Sequence, residues 1–148
     1  MQHYKAIEER AILDLFVSLY HAFPKARIKQ TESPDFILSL GRKRTIGIEL
    51  TKLYLHNIEG QASKQQNFKL EPGQIQQIID RKSNKINLYH KKKTDELWLI
   101  IVLGFDEDLK SHLISNSSFN HMYQTGFNKV FMLDMKQKNI TMLLLEHE

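Results

Sequence analysis

The chain has 148 residues, 41% hydrophobic and 26% charged, with a formal net charge of +4 at pH 7. These values are typical of one globular domain with a single core, so we expect one domain over residues 1–148. Cysteine is absent, which excludes disulfides, thiolate metal sites and a cysteine nucleophile. The charged N-terminal turns and the lack of an apolar run longer than "LWLIIVLG" predict a soluble, cytoplasmic protein with neither a signal peptide nor a membrane partner.

The first predicted element is an amphipathic helix from Tyr4 to Phe23, which Pro24 ends. A short edge strand is expected from Ala26 to Gln30. The segments from Asp35 to Leu40 and from Arg44 to Lys52 alternate with period two on either side of a turn that begins with glycine. This pattern predicts a β-hairpin.

The polar segment from Asn57 to Gly73 is predicted to be a long loop. The expected elements after it are a helix from Gln74 to His90, a buried strand at "ELWLIIVLG", a short helix from Asp106 to Ser115, a loop from Ser115 to His121, and strands from Lys129 to Met135 and Ile140 to Glu146. The order α, ββ, α, β, α, ββ predicts an α/β fold with a mixed central sheet and helices on its faces.

Each arm of the hairpin carries a carboxylate, although strands are depleted in acidic residues. If residues 41–43 close the hairpin, Leu40 lies opposite Arg44 and Asp35 lies opposite Glu49. Opposed side chains lie about 5 Å apart and like charges there repel, so the pair calls for a cation. Mg²⁺ suits the pair because it takes one or two carboxylates and leaves other positions to water and phosphate. The alternative is that one or both acids pair with a surface Lys or Arg.

The second helix places a lysine in its apolar stripe. Lys82 lies near the centre of a stripe formed by Ile75, Ile78, Ile79, Ile86 and Tyr89. A buried ammonium needs carboxylates or phosphate nearby. Lys85 lies at the edge of the stripe, where its stem can snorkel to solvent.

The first helix carries two candidate acids. Glu8 falls within the arc of Ile12, Leu15 and Leu19, whereas Glu9 falls toward its margin. Either is alternatively an acid of the first turns that the helix dipole favours. If the helices cover the carboxylate face of the sheet, four side chains converge there: Glu8, Asp35, Glu49 and Lys82.

The segments "PDFILSL" and "IGIELTK", preceded by a helix with a glutamate, resemble the PD-(D/E)xK nuclease superfamily. The resemblance implies a restriction-endonuclease-like α-β-β-β-α-β core, extended here by a C-terminal helix and two strands. It also implies Mg²⁺, or Mn²⁺ in its place, held by Asp35 and Glu49, with assistance from the helix-one glutamate. The superfamily has a lysine two residues after the second acid, where this chain has Thr51. Lys52 follows and is expected on the opposite face, so Lys82 is where a lysine moved to the next helix would lie.

The function implied is that of a Mg²⁺-dependent endonuclease that hydrolyses DNA, with RNA a less favoured substrate and a homodimer left open. Basic segments favour such a polyanionic partner: Gly41–Arg44, Asp80–Lys85 and His90–Lys93. The rival hypothesis is a catalytically inactive nuclease-like module that binds nucleic acid or a protein. A third hypothesis is a structural subunit whose basic patches serve solubility.

Overall fold

The computed structural model describes residues 2–54, 69–86, 94–105 and 114–147. Two helices and four strands come first: α1 (Gln2–Leu19), β1 (Arg27–Gln30), β2 (Phe36–Ser39), β3 (Thr45–Lys52), α2 (Pro72–Ser83) and β4 (Glu96–Leu103). The remaining described elements are α3 (Asn116–Asn120), β5 (Met122–Thr125), β6 (Lys129–Asp134), β7 (Asn139–Met142) and β8 (Leu144–His147). The expected order of helix, three strands, helix and strand is present in the first six.

Six strands form one mixed sheet in the order β1-β2-β3-β4-β6-β7. The first three are antiparallel, β3-β4 and β4-β6 are parallel, and β7 is antiparallel to β6. Parallel neighbours need a long crossover, and α2 lies in the crossover between β3 and β4. Strands β5 and β8 form a separate parallel pair. The predicted mixed sheet with flanking helices is confirmed.

The hairpin has the predicted register. Phe36 pairs with Ile48 and Leu38 pairs with Ile46, and all four side chains are buried. The loop of residues 41–43 closes it, with Arg42 and Lys43 at φ of 61° and 60°. Because a one-residue slip would expose this buried face, the alternation of apolar residues fixes which side chains point to the other face.

Each face of the sheet is covered by a helix. On one face, α1 packs through its buried apolar side chains Ile12, Leu13 and Phe16. On the other face, α2 packs through Ile75, Ile78 and Ile79. β4 lies between these two layers and is buried along nearly its whole length, which explains its continuous apolar run. No helix in the described ranges is long and apolar enough to cross a bilayer.

The second helix differs from its predicted range. It begins at Pro72, where proline is well suited to the first helical turn, so the predicted loop end at Gly73 is wrong. The Glu71 N–H donates to Gln74 Oε1 at 2.8 Å and satisfies one backbone group at this start. α2 ends at Ser83 and Ile86 is again helical, whereas the remainder of the range predicted to reach His90 lies outside the described residues, as do residues 55–68 and 87–93.

The C-terminal third contains more elements than the expected helix and two strands. Residues 106–113 of the predicted short helix lie outside the described residues, and the predicted loop at Ser115 to His121 contains α3 instead. Strand β5 was not predicted. The strand expected from Ile140 to Glu146 is two strands in different sheets, because the chain leaves the main sheet at the buried Leu143, whose N–H donates to Val130 O.

Candidate active site

A cleft of about 300 Å³ lies where α1, the β1–β2 turn, β3 and the C-terminal end of α2 meet. We call it the carboxylate cleft. Its charged lining consists of four acids and four lysines: Glu9, Glu32, Asp35, Glu49, Lys5, Lys52, Lys82 and Lys85. Asp35, Glu49 and Lys82, which the sequence predicts to converge, therefore line one cavity.

Asp35 immediately precedes β2 and is buried. Its Oδ2 accepts a hydrogen bond of 2.7 Å from the backbone N–H of Leu50 on the neighbouring strand. Burial raises the pKa of Asp35 to about 6, and the Leu50 hydrogen bond opposes this shift. The nearby Glu9 contributes to this raised pKa, less than burial does, through its charge and through a hydrogen bond between the two side chains. The Asp35 carboxyl therefore exchanges its proton close to neutral pH, which is typical of functional carboxyls.

Lys82 reaches Glu49 as expected. Lys82 Nζ donates to Glu49 Oε2 at 3.1 Å, and the Glu49 side chain is 6% exposed while that of Lys82 is 24% exposed. Glu49 lies on the face of β3 that α2 covers, and the last turn of α2 carries Lys82 toward it. The positive charge of Lys82 also lowers the pKa of Asp35, as a smaller contribution. Thus one ammonium acts on both carboxylates.

The helix-one acid beside Asp35 is Glu9 rather than Glu8. Glu9 is buried, whereas Glu8 has a side chain that is 43% exposed and forms an ion pair with Lys52. The buried stripe of α1 includes Leu13 and excludes Ile7, which is 54% exposed, so its phase differs by about one residue from the predicted arc. One residue rotates a helical side chain by about 100°, enough to move Glu8 out of the cleft. The place beside Asp35 that we expected Glu8 to occupy is therefore occupied by Glu9, and the expectation for Glu8 is wrong.

Lys52 and Thr51 follow Glu49 at the end of β3, and both line the cleft. Lys52 Nζ pairs with Glu8 and lies 5.5 Å from the ring centroid of Phe105, on the α1 side that alternation predicts. Burial, followed by the nearby charge of Lys5, lowers the pKa of Lys52. Two ammonium groups thus lie close together at the rim of the cleft. Thr51, half-buried, occupies the position at which the superfamily has its lysine.

The three basic segments of the sequence lie differently with respect to the cleft. Residues 80–85 supply Lys82 and Lys85 to it. Residues 41–44 lie at the opposite end of the hairpin from Asp35, and Arg44 pairs there with Glu96. Residues 90–93 lie outside the described residues.

The donor set of the cleft fits a hard divalent cation. Across residues 2–54, 69–86, 94–105 and 114–147, no three or more His, Asp or Glu side chains are grouped closely enough to hold a metal ion. Mg²⁺ does not require such a group, because it binds through one or two carboxylates and keeps several waters. Asp35 and Glu49 supply two buried carboxylates in one cleft, and the repulsion between Asp35 and Glu9 is relieved by a cation.

Comparisons with protein-family models, with curated proteins and with solved structures found no match for this chain. A function for this chain must therefore be inferred from the geometry of the carboxylate cleft and from the motif resemblance.

Proposed function

We propose that this protein is a metal-dependent endonuclease that hydrolyses phosphodiester bonds in DNA. The observation that carries the proposal is the 3.1 Å contact between Lys82 Nζ and Glu49 Oε2 in the cleft that also contains Asp35. The motif resemblance and the order of the first six described elements, α1-β1-β2-β3-α2-β4, support a nuclease-like core.

Asp35 and Glu49 are the residues that would hold Mg²⁺ or Mn²⁺. When bound, such an ion polarises a phosphoryl oxygen and lowers the pKa of a bound water. The chain's own residues prepare the site for it. The Leu50 N–H fixes the orientation of the Asp35 carboxylate, and the Lys82 ammonium fixes that of Glu49.

Lys82 has a second task in this proposal. An ammonium has three N–H donors, of which one is directed at Glu49 Oε2. The other donors are available to a phosphate oxygen on which negative charge develops during hydrolysis. Donors placed in advance at such a position typically contribute a factor of about 10² to 10³ to the rate.

The rival function is a non-catalytic module that binds nucleic acid or a protein. One observation favours it, namely that Thr51 stands where the superfamily has a lysine. The two functions differ in whether bound DNA is cut.

The test is cleavage of labelled single-stranded, linear duplex and plasmid DNA with Mg²⁺, Mn²⁺ or EDTA. We expect metal-dependent cleavage that falls by at least about 10² in Asp35→Asn and Lys82→Met. Matched controls are Asp14→Asn on the exposed face of α1 and Lys136→Met in the exposed β6–β7 turn, which keep wild-type activity. DNA binding without cleavage under all these conditions would contradict the proposal and support the binding module.

A further inference from the structure

A second cavity of about 550 Å³ adjoins the carboxylate cleft. We call it the side cavity. It shares five lining residues with the cleft: Lys5, Glu9, Glu32, Ser33 and Asp35. The rest of its lining is uncharged and comes from Ala6, Gln30 and Thr31. The cavity therefore continues from the candidate catalytic carboxylates into the space between α1 and the β1–β2 turn.

The walls of the side cavity are held by internal hydrogen bonds. Gln30 Nε2 donates to Ala6 O at 2.8 Å and ties β1 to α1. The Thr31 N–H donates to Asp35 O at 2.8 Å and closes the turn. A cavity with fixed walls loses little conformational entropy when it takes a ligand, and its volume lies within the roughly 300–1,000 Å³ of ordinary ligand sites.

Charge distinguishes the two cavities. The carboxylate cleft has four lysines against four acids, so its charges balance even without an ion, and a bound divalent ion would make it positive. The side cavity has three acids and only one lysine, so it repels phosphate. Apart from Asp35, which is assigned to the ion, its acceptors are the carboxylates of Glu9 and Glu32 and the side-chain carbonyl of Gln30, and such acceptors suit the amino groups of nucleobases. A nucleotide would therefore place its phosphate in the cleft and its nucleoside in the side cavity.

We propose that the side cavity binds the nucleoside next to the scissile phosphate, so that the substrate is unpaired DNA, either a single strand or a frayed end. This inference rests on the proposed function and names the substrate class of the same site. In a duplex each base is paired and stacked, and it reaches a cavity only after extrusion, which costs free energy. A single strand avoids that cost.

The first test measures binding of wild-type protein in EDTA, where no metal-dependent cleavage occurs. Three fluorescein-labelled ligands are compared by anisotropy: a short single strand, its blunt duplex, and the same strand with abasic nucleotides throughout. We expect the normal strand to bind at least about tenfold more tightly than either of the others. Equal affinity for the normal and abasic strands would overturn the inference.

The second test fills the side cavity. Ala6→Trp places an indole at its wall, whereas Ala11→Trp places one on the exposed face of the same helix. We expect Ala6→Trp to reduce single-strand affinity to the level of the abasic strand and Ala11→Trp to retain wild-type affinity. Circular dichroism establishes that both variants fold, and if Ala6→Trp does not, the abasic comparison with wild-type protein decides.

Equal single-strand affinity in the two folded variants would overturn the inference. Failure of the proposed function would look different. It would appear as absence of cleavage with every metal, while the preference for the normal strand in EDTA persisted.

Discussion

Asp35 carries a stability cost that a bound cation would remove. Its side chain is buried beside Glu9, and burial raises its pKa to about 6 from an ordinary value of 3.8. Between these two pH values the folded protein binds more protons at this residue than the unfolded chain does. Stability must therefore fall as pH rises through this window, and the cost is present in full above about pH 6.

We predict that Asp35→Asn stabilises the metal-free protein at pH 7 by about 1 to 3 kcal/mol, since a shift of one pKa unit is worth 1.36 kcal/mol. Asparagine stays neutral and can still accept the Leu50 hydrogen bond. The difference from wild type should vanish near pH 4, where Asp35 is protonated. Urea unfolding in EDTA from pH 4 to 7 measures this, and a variant less stable than wild type at pH 7 would contradict it.

The coupling free energy of the Lys82–Glu49 ion pair should be larger than that of an exposed ion pair with the same N–O distance. Arg10 Nε and Asp14 Oδ1 are also 3.1 Å apart, but these side chains are 45% and 63% exposed. Water screens such a pair, and its coupling is typically below about 0.5 kcal/mol, whereas removal of one partner from a buried pair is costly. Double-mutant cycles with Lys82→Met and Glu49→Gln should give a coupling of about 1 to 3 kcal/mol. Equal couplings in the two pairs would show that burial of the cleft has no energetic effect.

The cleft residues that could be identified from the sequence are those whose charge is unusual for their secondary-structure element. Asp35 directly precedes β2, Glu49 lies within β3, and Lys82 lies in an apolar stripe of α2, so each of these charged side chains required a partner. Glu9 could not be identified in the same way, because one residue of helix phase separates it from Glu8 and only packing sets that phase. Lys5 is four residues before Glu9 and so shares its helix face, which is the signal that could have placed it in the cleft.

At the scale of elements, β3 needs a glycine beside the cleft. A Cβ on Gly47 would lie 2.8 Å from Leu97 Cδ2 and 3.0 Å from Pro34 Cγ. Pro34 immediately precedes Asp35, so the close contact of β3 with this turn positions the carboxylate. A side chain at position 47 would have to move the turn or distort the packing of β4.

We predict that Gly47→Ala destabilises the protein by about 1 to 3 kcal/mol through overpacking. Gly41→Ala is the matched control, because a Cβ there would meet nothing within 4 Å. The control should change stability by less than about 0.5 kcal/mol. Thermal or urea unfolding of the two variants measures the difference, and equal stabilities would contradict the tight contact at Gly47.

Elements with a strong local pattern were predicted with the right type, and those defined by tertiary contacts were not. The hairpin register followed from alternation and a three-residue loop. The five residues of α3 are too few to show a helical period, and β7 and β8 form one continuous apolar pattern in the sequence. Their separation depends on pairing with β6 and β5, which are distant partners that no local pattern reveals.

At the scale of the whole molecule, the carboxylate cleft depends on the complete topology. Residues from α1, the β1–β2 turn, β3 and α2 meet in it, although about 80 residues of sequence separate Lys5 from Lys85. The sheet order brings these parts of the chain together at one end of the hairpin, while residues 41–44 lie at the other. Only the fold could show that the basic segment of residues 80–85 lines the cleft, whereas the basic segment of residues 41–44 lies away from it.

Binding of Mn²⁺ shows directly whether Asp35 and Glu49 form a metal site, because this measurement requires no knowledge of the substrate. We expect calorimetry at pH 7.5 to detect one ion per chain. Asp35→Asn and Glu49→Gln should each weaken Mn²⁺ binding at least about tenfold, whereas Asp14→Asn should not. Binding should also weaken below about pH 6, where protons compete for Asp35. Mn²⁺ affinity unchanged by both Asp35→Asn and Glu49→Gln would contradict a metal site formed by these carboxylates.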